Sequence, residues 1–432
     1  MVFKKVLCKL SGKFGSGSFV RNAGVLTLGT FGSQALIFVF YPVLTRLYTP
    51  AEFGVVSVVY MITSLLAIIA SGAAEGAILI AISRRSAAHV IGWVAIRSTK
   101  VFLAAFVVAA ILISSNVDQW IEPEIQFWLP IVPILAAAIV AFSCFSEWTL
   151  REQQFARLAK FRIIQSLLVS TLRTAVGVLN IPINGLIVGE VCGKVLAAAG
   201  GARSMLVNNF HYFRALNIKR IGVERRRYGK FPRYMMPDQL INTAGGTIHI
   251  PFVAIIFGSA ELGYLSMTMS TLYLPVTVIS SAIKDVFRQR AASELQISGS
   301  CRALYLKLLF PVSAVGLIGF GSIYLVSPWL FTFILGDNWA PVGEYTRVLI
   351  PMFFLNFVSM SMGGVLVVTQ RLGVSLGWQI VNLVITLLAL IIGATVYQSV
   401  HATLLGLTIS KSASYILHMV ISYYYSNSRI SS

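Results

Sequence analysis

Twelve apolar runs dominate this chain of 432 residues, and each is long enough to cross a lipid bilayer as a helix. A spanning helix needs about 20 largely apolar residues, and Gly, Pro and charged residues separate one run from the next. Only 11% of the residues are charged, whereas a soluble domain has about a quarter. The pattern therefore predicts an all-α polytopic membrane protein. The predicted spans are 22–42, 54–80, 92–115, 127–149, 163–180, 184–206, 235–257, 263–287, 303–326, 346–369, 374–395 and 401–424.

The distribution of Lys and Arg predicts how these spans are oriented. With the amino terminus in the cytoplasm, 29 of the 34 basic residues fall in inner tails, inner loops or inner helix ends. Only Arg46 and Arg347 fall on the other side, which is the asymmetry that the positive-inside rule describes. Because the number of spans is even, both termini are predicted to be cytoplasmic. The opposite side, which has few Lys and Arg residues, is the predicted outer side.

The net charge of +19 does not point to nucleic acid, because the basic residues lie in loops between apolar runs and not on a soluble module. We therefore expect no nucleic-acid partner. The four cysteines and the isolated histidines have no metal-binding spacing, so we expect no metal or other cofactor. No Gly-x-x-x-x-Gly-Lys-Ser/Thr loop occurs, so the chain is not expected to hydrolyse ATP by that route.

A short motif occurs twice, at an offset of 209 residues. The run Ala51-Glu52-Phe53-Gly54-Val55-Val56-Ser57 is matched by Ala260-Glu261-Leu262-Gly263-Tyr264-Leu265-Ser266. An offset near half the chain length suggests two related halves. We predict an amino-terminal lobe of six helices over 1–206, a basic cytoplasmic linker over 207–234 and a second six-helix lobe over 235–432.

The repeat also predicts how the two lobes are related. An even number of spans separates the two copies, so both lie on the predicted outer side and the halves are parallel, related by an axis along the membrane normal. Two such lobes around a central cavity that opens alternately to each side form a transporter. For the linker, with Arg225-Arg226-Arg227, we favour an orientation signal near anionic headgroups over a specific docking site.

Three basic residues fall deep within predicted spans, where an ionisable group costs about 2.5–3.5 kcal/mol. Arg173, Lys194 and Lys411 each lie roughly ten residues, or about 15 Å, from an outer span end. They are candidate cavity cations for an anionic headgroup. The alternative is structural, because Glu190 precedes Lys194 by one helical turn and can also pair with Arg173. Lys411 has no acidic residue in its own span and is the strongest candidate.

Other charged residues are candidates nearer the two membrane surfaces. Glu75, between Gly72 and Gly76, is predicted to be an ion relay or a counter-ion for an inner arginine, and Glu190 is a second such carboxylate. The outer turns are predicted to contain Arg46, Glu52 and Glu261. Glu52 can cap the helix that follows it, Arg46 can anchor the chain at the outer interface, and the turns can form part of an outer gate. Candidates for recruiting substrate at the inner mouth, with snorkelling to headgroups as the alternative, are Arg84, Arg85, Arg97, Lys100, Lys284 and Arg288.

Two segments resemble a known family, the bacterial polysaccharide flippases of the Wzx type. The first resembles their first-hairpin signature and reads Pro42-x-Leu44-x-Arg46-Leu47-Tyr48-Thr49-Pro50-Ala51-Glu52-Phe53-Gly54. The second is similar to a segment at the end of their second helix and reads Glu75-Gly76-Ala77-Ile78-Leu79-Ile80-Ala81. The resemblance implies the fold of the multidrug/oligosaccharidyl-lipid/polysaccharide exporters.

The resemblance also implies a function. Members of this family flip an undecaprenyl-diphosphate-linked oligosaccharide from the cytoplasmic to the periplasmic leaflet of the bacterial inner membrane. The product serves lipopolysaccharide O-antigen, capsule or exopolysaccharide biosynthesis. The partners implied are the lipid-linked oligosaccharide, the bilayer, a polysaccharide polymerase and a chain-length regulator.

Two rival functions stay open. An exporter of the same fold for drugs or for the peptidoglycan lipid precursor would give resistance or growth phenotypes instead of loss of a surface glycan. A membrane enzyme such as a polysaccharide polymerase typically needs a large outer loop, and the longest outer segment here is only residues 327–345. We therefore expect a transporter and not an enzyme.

Overall fold

A computed structural model describes residues 17–114, 122–369 and 371–427. Within these residues, twelve helices are long and apolar enough to cross a membrane. The predicted all-α fold with twelve spans is therefore confirmed, and the protein is a multi-pass membrane protein. The basic tail before residue 17 and the carboxy-terminal Arg429 lie outside the described residues.

The first half of the chain forms six spans. Its helices are α1 (Gly17–Leu47), α2 (Pro50–Ser71), α3 (Gly76–Ile80), α4 (Arg84–Ser114), α5 (Pro123–Trp128), α6 (Ile131–Arg151), α7 (Phe155–Val178) and α8 (Gly185–Asn208). The linker is helical too, with α9 (Phe210–Arg214) and α10 (Ile218–Arg227). Ile221 of α10 is buried and packs near Gly92 of α4.

The second half forms the other six spans. Its helices are α11 (Met236–Thr247), α12 (His249–Phe257), α13 (Ser259–Ser298), α14 (Arg302–Leu335), α15 (Ala340–Met362), α16 (Val365–Val368), α17 (Leu372–Ile391) and α18 (Val400–Tyr425). Short π-helical turns at Phe231–Met235 and Ile392–Val396 and a 3₁₀ turn at Asp337–Trp339 adjoin these helices.

The second span is interrupted, and the prediction of one helix over 54–80 is wrong at this point. Helix α2 ends at Ser71, and Gly72 and Ala73 have φ angles of +64° and +54°. These values lie in the left-handed region, which ends a right-handed helix. A side chain at Gly72 would also come within 2.8 Å of the Arg97 guanidinium carbon. Apolar residues continue across this break, so hydropathy alone does not reveal it.

Several helices extend well beyond the predicted spans. Helix α13 has 40 residues and is about 60 Å long, which is about twice the thickness of the hydrocarbon core. The predicted span of 263–287 covers its apolar part only. The polar residues that follow remain helical as far as Ser298, because hydropathy marks contact with lipid and not the end of a helix.

The described residues pack into two compact units. One contains residues 17–40, 69–106 and 133–233, and the other contains 41–68, 107–114, 122–132 and the described residues from 234 onward. Packing alone defines these units. The division into 1–206, 207–234 and 235–432, which derives from the sequence repeat, stays a prediction.

Candidate functional site

Two glycines bring helices α7 and α8 unusually close together. A Cβ atom at Gly189 would lie 2.5 Å from the backbone nitrogen of Arg173, and one at Gly193 would lie 2.7 Å from the Cα atom of Val169. Small residues four apart allow helix backbones to approach in this way within a membrane. The close approach places Glu190, on the same helix as the two glycines, beside the side chain of Arg173.

Glu190 forms ion pairs with two of the three predicted cavity cations. Its Oε2 atom lies 2.6 Å from Nη2 of Arg173, and its Oε1 atom lies 2.7 Å from Nζ of Lys194. The carboxylate is buried, and Arg173 also donates through Nε to the carbonyl oxygen of Leu186 at 3.2 Å. The geometry thus includes both ion pairs of the structural alternative. One carboxylate between two cations nevertheless leaves the cluster with a formal charge of +1.

Lys411 on α18 has different surroundings. It is only 8% exposed, and its Nζ donates to the carbonyl oxygen of Gly245 at 3.0 Å and to Oδ1 of Asn382 at 3.3 Å. These partners lie on α11 and α17. Over the residues that the structure describes, no carboxylate forms an ion pair with Lys411. An ammonium group has three N–H donors, so one donor is left after these two hydrogen bonds.

Helix α18 continues from Lys411 with further buried polar residues on the same face. The carbonyl oxygen of Ser414 accepts a hydrogen bond from Nε1 of Trp378 at 2.9 Å. The ring of Trp378 lies 4.4 Å from that of His418, and Nδ1 of His418 is 2.8 Å from the hydroxyl of Ser359. Residues three, four and seven apart share a helix face. The face from Lys411 to His418 is therefore polar although it lies within a span.

Glu75 lies in the interruption between α2 and α3. Its Oε2 atom is buried and has no hydrogen-bond partner among the described residues, while Ser71 hydrogen-bonds its carboxyl group. Burial raises the pKa of Glu75 above its ordinary value. Glu147 on α6 is close enough to interact with it electrostatically. No arginine among the described residues forms an ion pair with Glu75, so its predicted role as a counter-ion is not seen in this geometry.

The predicted inner-mouth residues of the first compact unit have mixed surroundings. Arg84 forms a bidentate pair with Glu152, with distances of 2.9 Å from Nε to Oε1 and 2.6 Å from Nη2 to Oε2. Arg97 donates to the carbonyl oxygens of Ala70 at 3.3 Å and Ile69 at 3.1 Å, which belong to the last turn of α2. Arg84 is exposed, as are Arg85 and Lys100, but the contacts of Arg84 and Arg97 are to neighbouring parts of the protein and support local structure.

Of the predicted inner-mouth residues in the second unit, Lys284 is half-buried and Arg288 is exposed. The side-chain stem of Arg288 lies against Gly364, since a Cβ there would be 2.2 Å from its Cγ. Recruitment of substrate by any of the six residues stays a prediction.

The predicted outer turns form helix caps and hydrogen bonds. Oε2 of Glu52 accepts from the backbone nitrogen of Thr49 at 2.8 Å, and the Thr49 hydroxyl accepts from the backbone nitrogen of Glu52 at 3.4 Å. This reciprocal pair is a capping box at the start of α2. Glu261 accepts a hydrogen bond from the hydroxyl of Tyr345. Arg46 donates through Nη1 to the carbonyl oxygens of Pro42 at 2.6 Å and Ile334 at 3.3 Å.

Sequence reasoning missed three members of these sites. Gly245 and Asn382 are 166 and 29 positions from Lys411, and neither is ionisable, so nothing in the sequence singles them out. Glu147 was visible as an acidic residue inside the predicted span 127–149. Its proximity to Glu75 depends on the packing of α6 against the interruption after α2.

Residues 43–344 match the sequence model of a family described as polysaccharide biosynthesis protein. This match extends through both copies of the repeated motif. No curated protein sequence matches the chain. The family match confirms the resemblance to a polysaccharide biosynthesis family that was seen in the two sequence segments.

The fold is similar to that of solved transporters. An inward-facing multidrug resistance MATE family transporter of the MOP superfamily superimposes with a TM-score of 0.67 at 14% identity, over 90% of this chain and 93% of that one. The lipid II flippase MurJ in an inward closed conformation gives 0.70 at 11% identity, over 92% and 87%. A MOP superfamily transporter from Pyrococcus furiosus gives 0.62 at 13% identity, over 93% and 94%. At these identities the likeness shows the fold alone.

Proposed function

Because the chain belongs to the polysaccharide biosynthesis protein family, we propose that it flips an undecaprenyl-diphosphate-linked oligosaccharide across the bacterial inner membrane. The substrate would move by alternating access from the cytoplasmic to the periplasmic leaflet. The product would serve O-antigen, capsule or exopolysaccharide biosynthesis. In this function both termini are cytoplasmic, and a polysaccharide polymerase with its chain-length regulator would consume the flipped product.

The surroundings of Lys411 are the observation that carries this proposal. It is a buried cation without a carboxylate partner among the described residues, and one of its N–H donors is left over. A buried charge of this kind is costly unless something compensates it. A diphosphate supplies both the opposite charge and acceptor oxygens for the remaining donor. We therefore assign to Lys411 the role of contacting the diphosphate during its passage.

The cluster of Arg173, Glu190 and Lys194 supports an anionic cargo in a second way. Its formal charge of +1 lies within spans where the surrounding side chains are largely apolar. Glu190 holds the two cations in fixed positions, so the residual positive charge is preorganised. In the proposed function this cluster attracts the diphosphate electrostatically while the sugars follow it and the prenyl chain stays in lipid.

The positive charge of Lys411 also helps to distinguish between the rival substrates that a transporter of this fold could carry. A cationic drug would be repelled by Lys411, so the multidrug function is disfavoured. The peptidoglycan lipid precursor carries the same prenyl diphosphate and is attracted equally well. These two lipid-linked substrates are distinguished by phenotype, because loss of the first removes a surface glycan and loss of the second stops cell-wall growth.

The test is a strain of the source bacterium that lacks this chain, complemented with wild type, Lys411→Gln or Lys411→Arg. We expect the deletion to lose surface polysaccharide and to accumulate lipid-linked precursor, with cell-wall synthesis unchanged. Gln should fail to restore the polysaccharide at a normal level of membrane protein, and Arg, which keeps the charge, should restore part of it. Normal polysaccharide with the Gln variant would refute the role of Lys411, and a cell-wall defect in the deletion would favour the rival substrate.

A further inference from the structure

The two glycines of the repeated motif make the same unusual contact. A Cβ atom at Gly54 of α2 would lie 1.9 Å from the carbonyl oxygen of Ser259, the first residue of α13. A Cβ atom at Gly263 of α13 would lie 1.8 Å from the carbonyl oxygen of Pro50, the first residue of α2. Both glycines therefore lie directly against the backbone of the other helix, with no room for a side chain.

The two contacts are equivalent under the sequence repeat. Pro50 and Ser259 are separated by the same 209 positions as Gly54 and Gly263. The next two atoms that each Cβ would meet are also equivalent, namely the carbonyl carbon at 2.7 and 2.5 Å and the Cα at 3.0 Å in both cases. The contact is thus reciprocal, as expected where a two-fold axis passes between two parallel repeats.

Further contacts join the two sequence halves at the same end of these helices. The hydroxyl of Ser259 donates to Oε2 of Glu122. Nε1 of Trp339 donates to the carbonyl oxygen of Thr45 at 2.9 Å, and the ring of Trp339 meets that of Phe53 edge-on at 5.0 Å. All five residues belong to the second compact unit. The predicted outer ends of α1, α2 and α13 are therefore packed together by both backbone and side-chain contacts.

We propose that Gly54 and Gly263 form a glycine latch, the element that lets the two halves close on the predicted outer side. This inference rests on the proposed function, because a transporter that works by alternating access has to make and break such a contact in each cycle. A carbonyl group is part of the backbone and cannot turn away as the end of a flexible side chain can. Any residue larger than glycine at either position prevents closure and shifts the population towards the state that is open on the predicted outer side.

The test measures this opening directly and requires no substrate. The native cysteines are replaced by serine, and Leu262→Cys, a position that is fully buried next to the contact, reports access to a membrane-impermeant maleimide added outside intact cells. We expect Gly54→Ala and Gly263→Ala each to raise the labelling rate about tenfold or more. Gly319→Ala, where a Cβ atom would meet nothing within 4 Å, is the matched control and should leave the rate unchanged.

Because the contact between α2 and α13 is reciprocal, the latch also predicts how the double variant behaves. Since either substitution alone breaks the contact on both helices, the double variant should label no faster than the faster single variant. Unchanged labelling in both single variants at normal membrane level would overturn the latch, and so would effects that multiply in the double variant. Neither result bears on Lys411, so failure of the latch is distinguishable from failure of the proposed function.

A disulfide provides the test if the alanine variants do not accumulate. Glu122→Cys with Ser259→Cys replaces a direct hydrogen-bonded pair and leaves both glycines in place. We expect oxidation to link these cysteines and to lower the labelling of Leu262→Cys, measured as the excess over the same double-cysteine chain that keeps Leu262, with recovery of this excess after reduction. An oxidised, cross-linked chain that labels as fast as the reduced one would show that this end does not open, and the latch would be wrong.

Discussion

Nη2 of Arg173 lies 2.6 Å from Oε2 of Glu190, although the two residues belong to different helices. The other carboxylate oxygen of Glu190 is 2.7 Å from Nζ of Lys194. One buried carboxylate therefore pairs with two half-buried cations. Its removal has consequences that removal of either cation alone does not have.

Glu190→Gln is expected to destabilise the protein strongly, because it removes the buried carboxylate that pairs with both Arg173 and Lys194. Breaking a buried ion pair by removing one partner costs about 3–5 kcal/mol. Arg173→Gln should cost less, since Glu190 keeps its pair with Lys194. The measurement is the thermal unfolding of purified protein in detergent, and equal stability of the two variants would contradict this account.

Lys411→Met is expected to leave thermal stability unchanged or to raise it, while transport is lost. The substitution removes a buried charge that has no carboxylate partner among the described residues, and methionine has a similar length. The same unfolding assay measures stability, and complementation of the deletion strain measures function. A loss of stability comparable with that of Glu190→Gln would show that Lys411 is structural and would weaken its assignment to the substrate.

Glu75 should make stability depend on pH. Burial raises its folded-state pKa above the ordinary value of 4.5, so the folded state holds the proton more tightly than the unfolded state. The stabilisation from the protonated carboxyl is fully present below 4.5 and is lost as the pH rises through the folded-state pKa. Glu75→Gln, which is always neutral, should therefore be more stable than wild type at high pH.

The pH dependence has a clear measurement and control. Melting temperatures of wild type and Glu75→Gln are compared over a series of pH values, and the difference should shrink as the pH falls. Asp285→Asn, which removes an exposed carboxylate on α13, is the matched control variant. A difference between Glu75→Gln and wild type that is independent of pH would refute the assignment.

Gly189→Ala and Gly193→Ala are expected to separate α7 from α8. Each added Cβ would lie well under 3.0 Å from the backbone of α7, and overpacking of this kind costs about 1–3 kcal/mol. Gly200→Ala on the same helix is the control, because its nearest neighbour would be Cε1 of Phe161 at 3.6 Å, an ordinary contact. Membrane protein level and melting temperature measure the effect. Equal behaviour of all three variants would show that the close approach is not important for stability.

The sequence by itself determined the membrane class and the number of spans, and it offered the ion pair between Glu190 and Lys194 as one of two alternatives for these residues. In lipid, the backbone N–H and C=O groups of a long apolar run must be hydrogen-bonded within the protein, and a helix achieves this. Residues four apart on a helix are neighbours whatever the rest of the chain does. The capping box of Thr49 and Glu52 is local for the same reason. Each of these features depends on residues that are close together in the chain.

The tertiary structure decided which distant residues meet. The partners Gly245 and Asn382 of Lys411, and the reciprocal contacts of Gly54 with Ser259 and of Gly263 with Pro50, depend on how separate helices pack. The helix interruption at Gly72 and Ala73 is likewise seen only in the structure. Hydropathy describes one segment against its solvent and contains no information about which helix faces which. The repeated motif revealed that Gly54 and Gly263 are equivalent, but only the packing of α2 on α13 showed that each lies against the backbone of the other helix, because backbone proximity is a property of two helices and not of one sequence.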